Sequence, residues 1–370
     1  MFLFWLKLNL RTAAAAWQTF GFGREIFIYA VRRPLFTALM RVMLALDNVF
    51  FPGFRRVEVR NPVFIIGHPR SGTTFLHRVL TQTDEFCAFE AWEILLPSLV
   101  TRKIFKRLID RYIRQGRGAV VRSDSGHEIV LDQVEEDEAL LVHTGNTQMA
   151  VALSPLGFGD SDFTDLVYAD EQPENIRRKT MAFLKGCYQR QIYWTGKTQV
   201  VAKFTYSGMR VRSLLDAFPD AKIVYMVRSP LETIPSHLTW GRNLFDRQWG
   251  VGRVPGARLQ RYWQRRYKYN VAFYRYLEDL IERGDLPSTQ FTVLPYDTLR
   301  ENFVATVGKI TNFAGLKLSD ELQQKLAAHG REQKTYQRKH ENLHLEEFGL
   351  SEERVCEDLA FVFDKYGFER

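Results

Sequence analysis

The sequence predicts an α/β protein, a doubly wound parallel sheet with helices on both faces and a P-loop-like nucleotide site. Three observations carry this reading. Short apolar runs without helical spacing, at 63–66, 199–203 and 221–227, alternate with amphipathic stretches of helical period. The first run breaks at once into Gly67, His68, Pro69, Arg70, Ser71 and Gly72, and a helix pattern opens at Thr73. The other two runs end on cations, Lys203 and Arg228, at the strand ends where open α/β sheets hold ligands. No internal repeat is visible.

Composition narrows the function. The chain has 370 residues, 45% of them apolar and 14% aromatic, enough for one large α/β domain with additions. A net charge of +8 suits an anionic ligand or an anionic membrane surface. Nucleic acid is not expected as a partner, because the cations are scattered and form no long basic run. Three distant cysteines, Cys87, Cys187 and Cys356, fit neither a disulfide framework nor a zinc site, and point to a reducing, cytoplasmic compartment.

Residues 1–56 read as an amphipathic helical arm and 57–370 as the catalytic domain. The arm's longest uncharged run, 12–23, is far short of the roughly 20 apolar residues a bilayer-spanning helix needs. Lys7 and Arg11 interrupt what would be a signal peptide's apolar core. After Pro34, the residues Leu35, Leu39, Val42, Met43 and Leu46 fall on one helix face with Arg41 opposite. Such a helix either lies peripherally on the inner face of the membrane or packs on the catalytic domain or on a second subunit of a homo-oligomer.

The loop at 67–72 is strand, glycine-bounded turn and helix start, a geometry that turns backbone N–H groups and a helix's positive end toward a phosphate or similar oxyanion. From Gly67 to Gly72 the spacing equals that of the nucleotide loop G-x-x-x-x-G-K-[ST], yet Thr73 stands where the lysine belongs. The cation lies inside the loop instead, as Arg70. Magnesium-dependent phosphoryl transfer also wants an acid at a second strand's end, where this chain has Arg228. Both departures argue for an anionic nucleotide handled without a metal.

Here the chain resembles a known family. G-H-P-R-S-G-T-T is similar to the 5′-phosphosulfate loop of sulfotransferases that use 3′-phosphoadenosine-5′-phosphosulfate (PAPS), and A-K-I-V-Y-M-V-R-S-P-L-E-T-I-P-S at 221–236 resembles their 3′-phosphate element. The resemblance implies that Arg70, Ser71, Gly72, Thr73 and Thr74 hold the phosphosulfate, that Arg228 and Ser236 grip the 3′-phosphate, and that no metal takes part. A local reading of the second element is a strand-to-helix corner with Ser229 as N-cap, Pro230 at the first helical position and Glu232 closing a capping box. Capping and binding are compatible.

Further along, F-C-A-F-E-A-W-E-I-L-L-P sets Glu90 and Glu93 on one helical face beside Trp92. A carboxylate in apolar surroundings becomes a useful proton acceptor near neutral pH. The family resemblance favours Glu93 as base, with Glu90 second; the plainer alternative is a pair of exposed helix-start glutamates. The stretch 101–122 reads as a basic helix with a solvated face. The acids Glu135, Glu136, Asp137 and Glu138 invite a metal reading, but consecutive helical residues diverge, and an acidic first turn of a helix is the better account. His127 and His143 are lone histidines, a kind usually structural. Residues 144–175 read as a loop or lid and 240–256 as a mobile loop, both lining the acceptor. By resemblance Lys203 reaches the transferring sulfuryl group, although the family's K-x-P-x-H setting is here K-F-T-Y-S. The stretch 259–283 reads as a core helix, and Y-D-T-L at 296–299 as a structural corner. The resemblance runs from about residue 57 to the end.

The reaction so implied is in-line transfer of a sulfuryl group from PAPS to a hydroxyl of a lipidic or amphipathic alcohol, or of a sugar. The rival readings are a nucleotide kinase or NTPase, and a non-catalytic membrane-peripheral nucleotide-binding protein.

Overall fold

A computed structural model of the chain describes residues 2–121, 129–206, 208–333 and 341–370. His127 lies outside them. The central sheet is built from β1 (Arg60–Gly67), β4 (Gln199–Phe204), β5 (Lys222–Val227) and β6 (Phe291–Pro295); β2 (Ala119–Val121) and β3 (Ile129–Val130) form a separate two-stranded ribbon. All pairs in the four-stranded sheet are parallel, in the order β4-β1-β5-β6, with Ile65 opposite Lys203 on one side and Val224 on the other. The expected open parallel sheet is therefore present, and β1, which carries the anion loop, is central.

Strand alternation sorts the side chains onto two faces. Phe64, Ile66, Ala202, Tyr225 and Val227 join one core, and Val63, Ile65, Val201, Val224 and Met226 the other. Val63 to Ile66 are fully buried, each worth about 1.5–3 kcal/mol of burial. The second core is closed by the helices Thr73–Leu80 and Phe303–Ala314, through Leu76, Leu80, Phe303 and Val307. The first is closed by Glu174–Thr195 and Gly256–Glu282, through Leu184, Tyr188, Tyr274 and Leu277. The predicted core helix at 259–283 is thus observed.

The amino-terminal residues form α1 (Phe2–Phe20), α2 (Arg24–Phe27), a π-turn and α3 (Arg33–Phe50). Their inner sides pack on the domain: Leu8, Ala16 and Tyr29 enter the first core, and Asp47 accepts bonds from Ser98 Oγ (2.7 Å) and Arg190 Nε (2.6 Å). The apolar face expected on α3 points away from the domain, with Leu35, Leu39, Val42 and Val49 exposed, while Thr37, Met40 and Asp47 face inward. After α4 (Thr73–Leu80) and α5 (Ala91–Leu95), α6 (Leu99–Arg114) holds to the fold by its first turn, where Leu99, Thr101 and Arg102 are buried. Its outer face is not merely solvated and basic, because Ile104, Phe105 and Leu108 are exposed there as well.

Two expected loops are packed structure. Residues 144–175 fold as short helical turns in which Asn146, Thr147, Phe158 and Phe163 are buried, with Gly159 tight against Ala15 of α1. Their aromatic and aliphatic side chains outweigh the glycine and proline content that reads as a lid. Likewise the helix Pro230–Trp249 runs on through Trp240, and Phe245 and Trp249 pack on Phe158 at 5.0 and 5.7 Å.

Candidate active site

The anion loop is shaped by contacts that only its own residues permit. A Cβ on Gly67 would lie 2.5 Å from Ser71 Oγ and 2.7 Å from the Met226 carbonyl oxygen. Gly72 has φ +95°, and a Cβ there would meet the Tyr296 ring at 2.6 Å. Arg70 has φ +76°, a left-handed conformation that costs a side-chain-bearing residue of order 1 kcal/mol or more and persists only when its surroundings hold it. They do. Arg70 Nε donates to Ser236 Oγ at 3.1 Å, and the Arg70 carbonyl accepts from Arg228 Nη1 at 3.2 Å. The two elements picked out in the sequence, 158 and 166 residues apart in these pairs, therefore converge at the carboxyl ends of adjacent strands β1 and β5.

The Ser71 N–H closes the turn on the His68 carbonyl at 3.0 Å, so the helix end presents the N–H groups that follow it. Ser71 Oγ is fully buried and has no hydrogen-bond partner, an arrangement that suits an anion's oxygen. His68 is buried, stacked on Tyr274 with ring centres 5.1 Å apart, and burial pushes its pKa down to about 4. It is neutral at physiological pH and serves the packing beneath the loop.

Arg228 is gripped by both oxygens of Glu232, at 3.0 and 2.5 Å, and its guanidinium lies 4.2 Å from the Tyr296 ring centre. Burial works against its charge, but the Glu232 bonds and charge hold its pKa above the ordinary value. Glu232 is committed to Arg228 rather than to a capping box, and Ser229 makes no side-chain cap. Tyr296 is wedged between Gly72 and Arg228 and couples the two anion elements. From the sequence it is only a corner residue.

Lys203 is buried at the end of β4; its Nζ donates to Thr74 Oγ1 at 2.9 Å and lies 3.5 Å from Glu136 Oε2. The acid run at 135–138 is built into this strand end. Asp137 Oδ2 accepts from Lys203 N (3.0 Å), Glu136 Oε1 from Thr205 N (2.8 Å) and Glu138 Oε2 from Tyr206 N (2.7 Å). Three consecutive acids thus clamp the end of β4 and set Lys203 in place. Asp137 also opens the 3-10 helix Asp137–His143, as an acidic first turn would. Its full burial raises the pKa to about 8, so it carries a proton for much of the time at neutral pH. Among the described residues no cluster of three or more His, Cys, Asp or Glu has a metal-binding arrangement.

The two glutamates of α5 differ. Glu93 is buried; its carboxylate accepts from the Glu90 N–H (3.0 Å) and Gln191 Nε2 (2.7 Å), and lies 3.7 Å from Arg102 Nη1. With the Glu90 carboxylate accepting from the Glu93 N–H in return, this is a complete capping box joined to a buried polar network. Glu90 is half-buried and accepts from the Trp92 indole at 2.7 Å; burial raises its pKa. Its segment runs parallel to β4, with Cys87 opposite Val200, so the chain direction carries Glu90 toward the sheet's carboxyl edge. His143 bonds the Ile94 carbonyl at 2.9 Å and burial lowers its pKa, which leaves it a structural histidine.

Comparison with known proteins adds an independent finding. The model of the Sulfotransferase family matches residues 62–320. The chain is 24% identical over 316 residues to the omega-hydroxy-beta-dihydromenaquinone-9 sulfotransferase Stf3 of Mycobacterium bovis, covering 84% of this chain and 76% of that one. Among solved structures it resembles sulfotransferase STF1 from Mycobacterium tuberculosis H37Rv, with TM-score 0.66 and 19% identity over 96% of this chain and 91% of that one. It also resembles STF9 from Mycobacterium avium, with TM-score 0.67 and 18% identity over 91% and 86%. At these identities the two structures speak for the fold.

Proposed function

We propose, from the premise that the chain belongs to the sulfotransferase family and transfers a sulfuryl group, that its donor is PAPS, bound across the carboxyl ends of β1, β4 and β5. The observation that carries this is the Arg228 to Arg70 to Ser236 chain of hydrogen bonds, which brings the two elements together at the carboxyl ends of adjacent strands. Arg70, Ser71, Gly72, Thr73 and Thr74 hold the phosphosulfate; Arg228 and Ser236 hold the 3′-phosphate. The acceptor oxygen attacks sulfur while the bond from sulfur to the bridging phosphate oxygen breaks, and the electron pair leaves with the 5′-phosphate. Arg70 and Lys203 stabilise that growing negative charge. The acceptor's proton passes to a carboxylate, and the geometry favours Glu90, with Glu93 positioning it. Residues 57–370 are the catalytic unit in this reading, and 1–56 an arm attached to it.

Titration calorimetry without magnesium tests the donor. Adenosine 3′,5′-bisphosphate, the spent donor, is expected to bind at least about tenfold tighter than ADP or ATP, because only it fills both anion elements. Equal or tighter binding of ATP would overturn the assignment. For the base, Glu90→Gln is expected to lower kcat about 100-fold with donor affinity unchanged. Glu93→Gln places an amide among donors, and should cost about 1–3 kcal/mol of stability, read as a lower Tm, with a smaller loss of rate. Wild-type turnover in Glu90→Gln would remove it from the role.

The acceptor we infer is a lipidic alcohol. A cleft of ≈ 240 Å³ lies beneath α3, lined by Met40, Leu44, His143 and Phe183 among others. His143 ends the 3-10 helix whose other end, about 12 Å away at 3-10 rise, holds Asp137 beside Lys203. Stf3, by its name, acts on a hydroxylated menaquinone. Sulfation of a sugar, with long-chain alcohols refused, would exclude this acceptor class.

A further inference from the structure

We propose that α3 and α6, flanked by α1, form a face that docks the enzyme on an anionic lipid bilayer. The outward positions of α3, Leu35, Leu39, Val42 and Val49, recur at helical spacing and are 47–70% exposed, a stripe turned away from the core. On α6 Ile104, Phe105 and Leu108 are exposed as well, and Asp47 ties the two helices together through Ser98 Oγ and the Val100 N–H. Arg41 of α3 lies 4.7 Å from the Trp5 ring centre of α1, which adds the exposed Leu3, Leu10 and Trp17. Of the twenty exposed large apolar side chains among the described residues, thirteen lie before residue 51 and four more on α6. A concentration of that kind on one region marks an interaction surface.

Charge identifies the occupant. Residues 1–56 carry eight Lys and Arg, and their two acids, Glu25 and Asp47, are both buried. On α6 five Lys and Arg are exposed, Lys103, Lys106, Arg107, Arg111 and Arg114, against Asp110, which pairs with Lys106. The apolar stripes are therefore bordered by cations alone or nearly so. A second copy of the chain on this face would set like charges against each other, whereas anionic headgroups complement them. No helix among the described residues is long and apolar enough to cross a membrane, so these helices would lie along the surface. The inference does not depend on the identity of the donor.

Vesicle flotation of the full chain tests it, with phosphatidylcholine vesicles compared with vesicles containing about a third phosphatidylglycerol. The chain is expected to float with the anionic vesicles and to bind neutral ones about tenfold less well. The double variant Leu39→Glu and Val42→Glu, both at exposed positions, should reduce binding to anionic vesicles about tenfold or more. Lys103→Glu with Arg107→Glu should remove the preference for anionic lipid. Calorimetry with adenosine 3′,5′-bisphosphate on the same samples reports folding and the donor site separately, so failure of one reading is distinguishable from failure of the other. Equal binding to both vesicle types, or wild-type binding by the Leu39 and Val42 variant, would overturn the proposal. So would a dimer in sedimentation velocity that this variant dissolves in a chain that ignores vesicles; the face would then belong to a second copy.

Discussion

Replacing Arg70 by alanine is expected to lower kcat/KM for the donor about 1,000-fold, the largest loss from any single residue of the loop. Removing one preorganised donor from developing negative charge costs about 100- to 1,000-fold in rate, and a lost hydrogen bond to a charged group removes about 1.5–3 kcal/mol of binding in addition. Arg70 stands to lose both, because its side chain reaches Ser236 of the second anion element from within the first. The backbone gives a control that separates chemistry from folding. Arg70 sits at φ +76°, so Arg70→Gly relieves strain and should hold or raise the Tm while abolishing the same activity. A glycine variant that keeps more than about a tenth of the wild-type rate would show that the guanidinium does not stabilise the leaving group.

Those two anion elements were the most legible part of the chain, and the reason is local. A buried parallel strand needs only a short apolar run, and a strand-loop-helix turn needs glycines at fixed positions, so Val63–Ile66 and Gly67 to Gly72 announce themselves within about ten residues. What the sequence hid depends on partners far away. The acids at 136–138 look like a helix start, and Asp137 does begin one, yet their carboxylates find the N–H groups of Lys203, Thr205 and Tyr206 only once β4 is in place. Tyr296 reads as a corner because nothing near it betrays Gly72 or Arg228. Glu93 and Glu90 could be told apart only by Gln191 and Arg102, which come from two other helices. The spacing Glu90-x-x-Glu93 was itself a usable signal, since it is that of a capping box. The outward stripe on α3 was visible as a stripe, but its direction was set by Asp47, a single buried acid bonded to Ser98 and Arg190. Donor chemistry came from the motif resemblance, which geometry alone does not supply.

Arg228→Ala is expected to raise the dissociation constant for adenosine 3′,5′-bisphosphate about 100-fold, with kcat at saturating donor reduced far less. In the proposed binding mode the side chain serves the 3′-phosphate and not the bond that breaks, so its contribution should appear in ground and transition states alike. The size follows from its setting: a half-buried guanidinium, already paired in the free enzyme with Glu232, is preorganised for a second anion and loses little freedom on binding. Removing it also takes the Arg228 charge away from Glu232 beside the nucleotide, which adds repulsion to the lost attraction. Selectivity is the sharper readout. ADP lacks a 3′-phosphate, so its affinity should fall by less than about fivefold, and the gap between the two nucleotides should nearly close. The Arg70 carbonyl loses a donor as well, and any loosening of the loop from that cause would weaken both nucleotides equally. Equal losses would therefore assign Arg228 to holding the loop; an unequal loss confined to the bisphosphate is what a 3′-phosphate site requires.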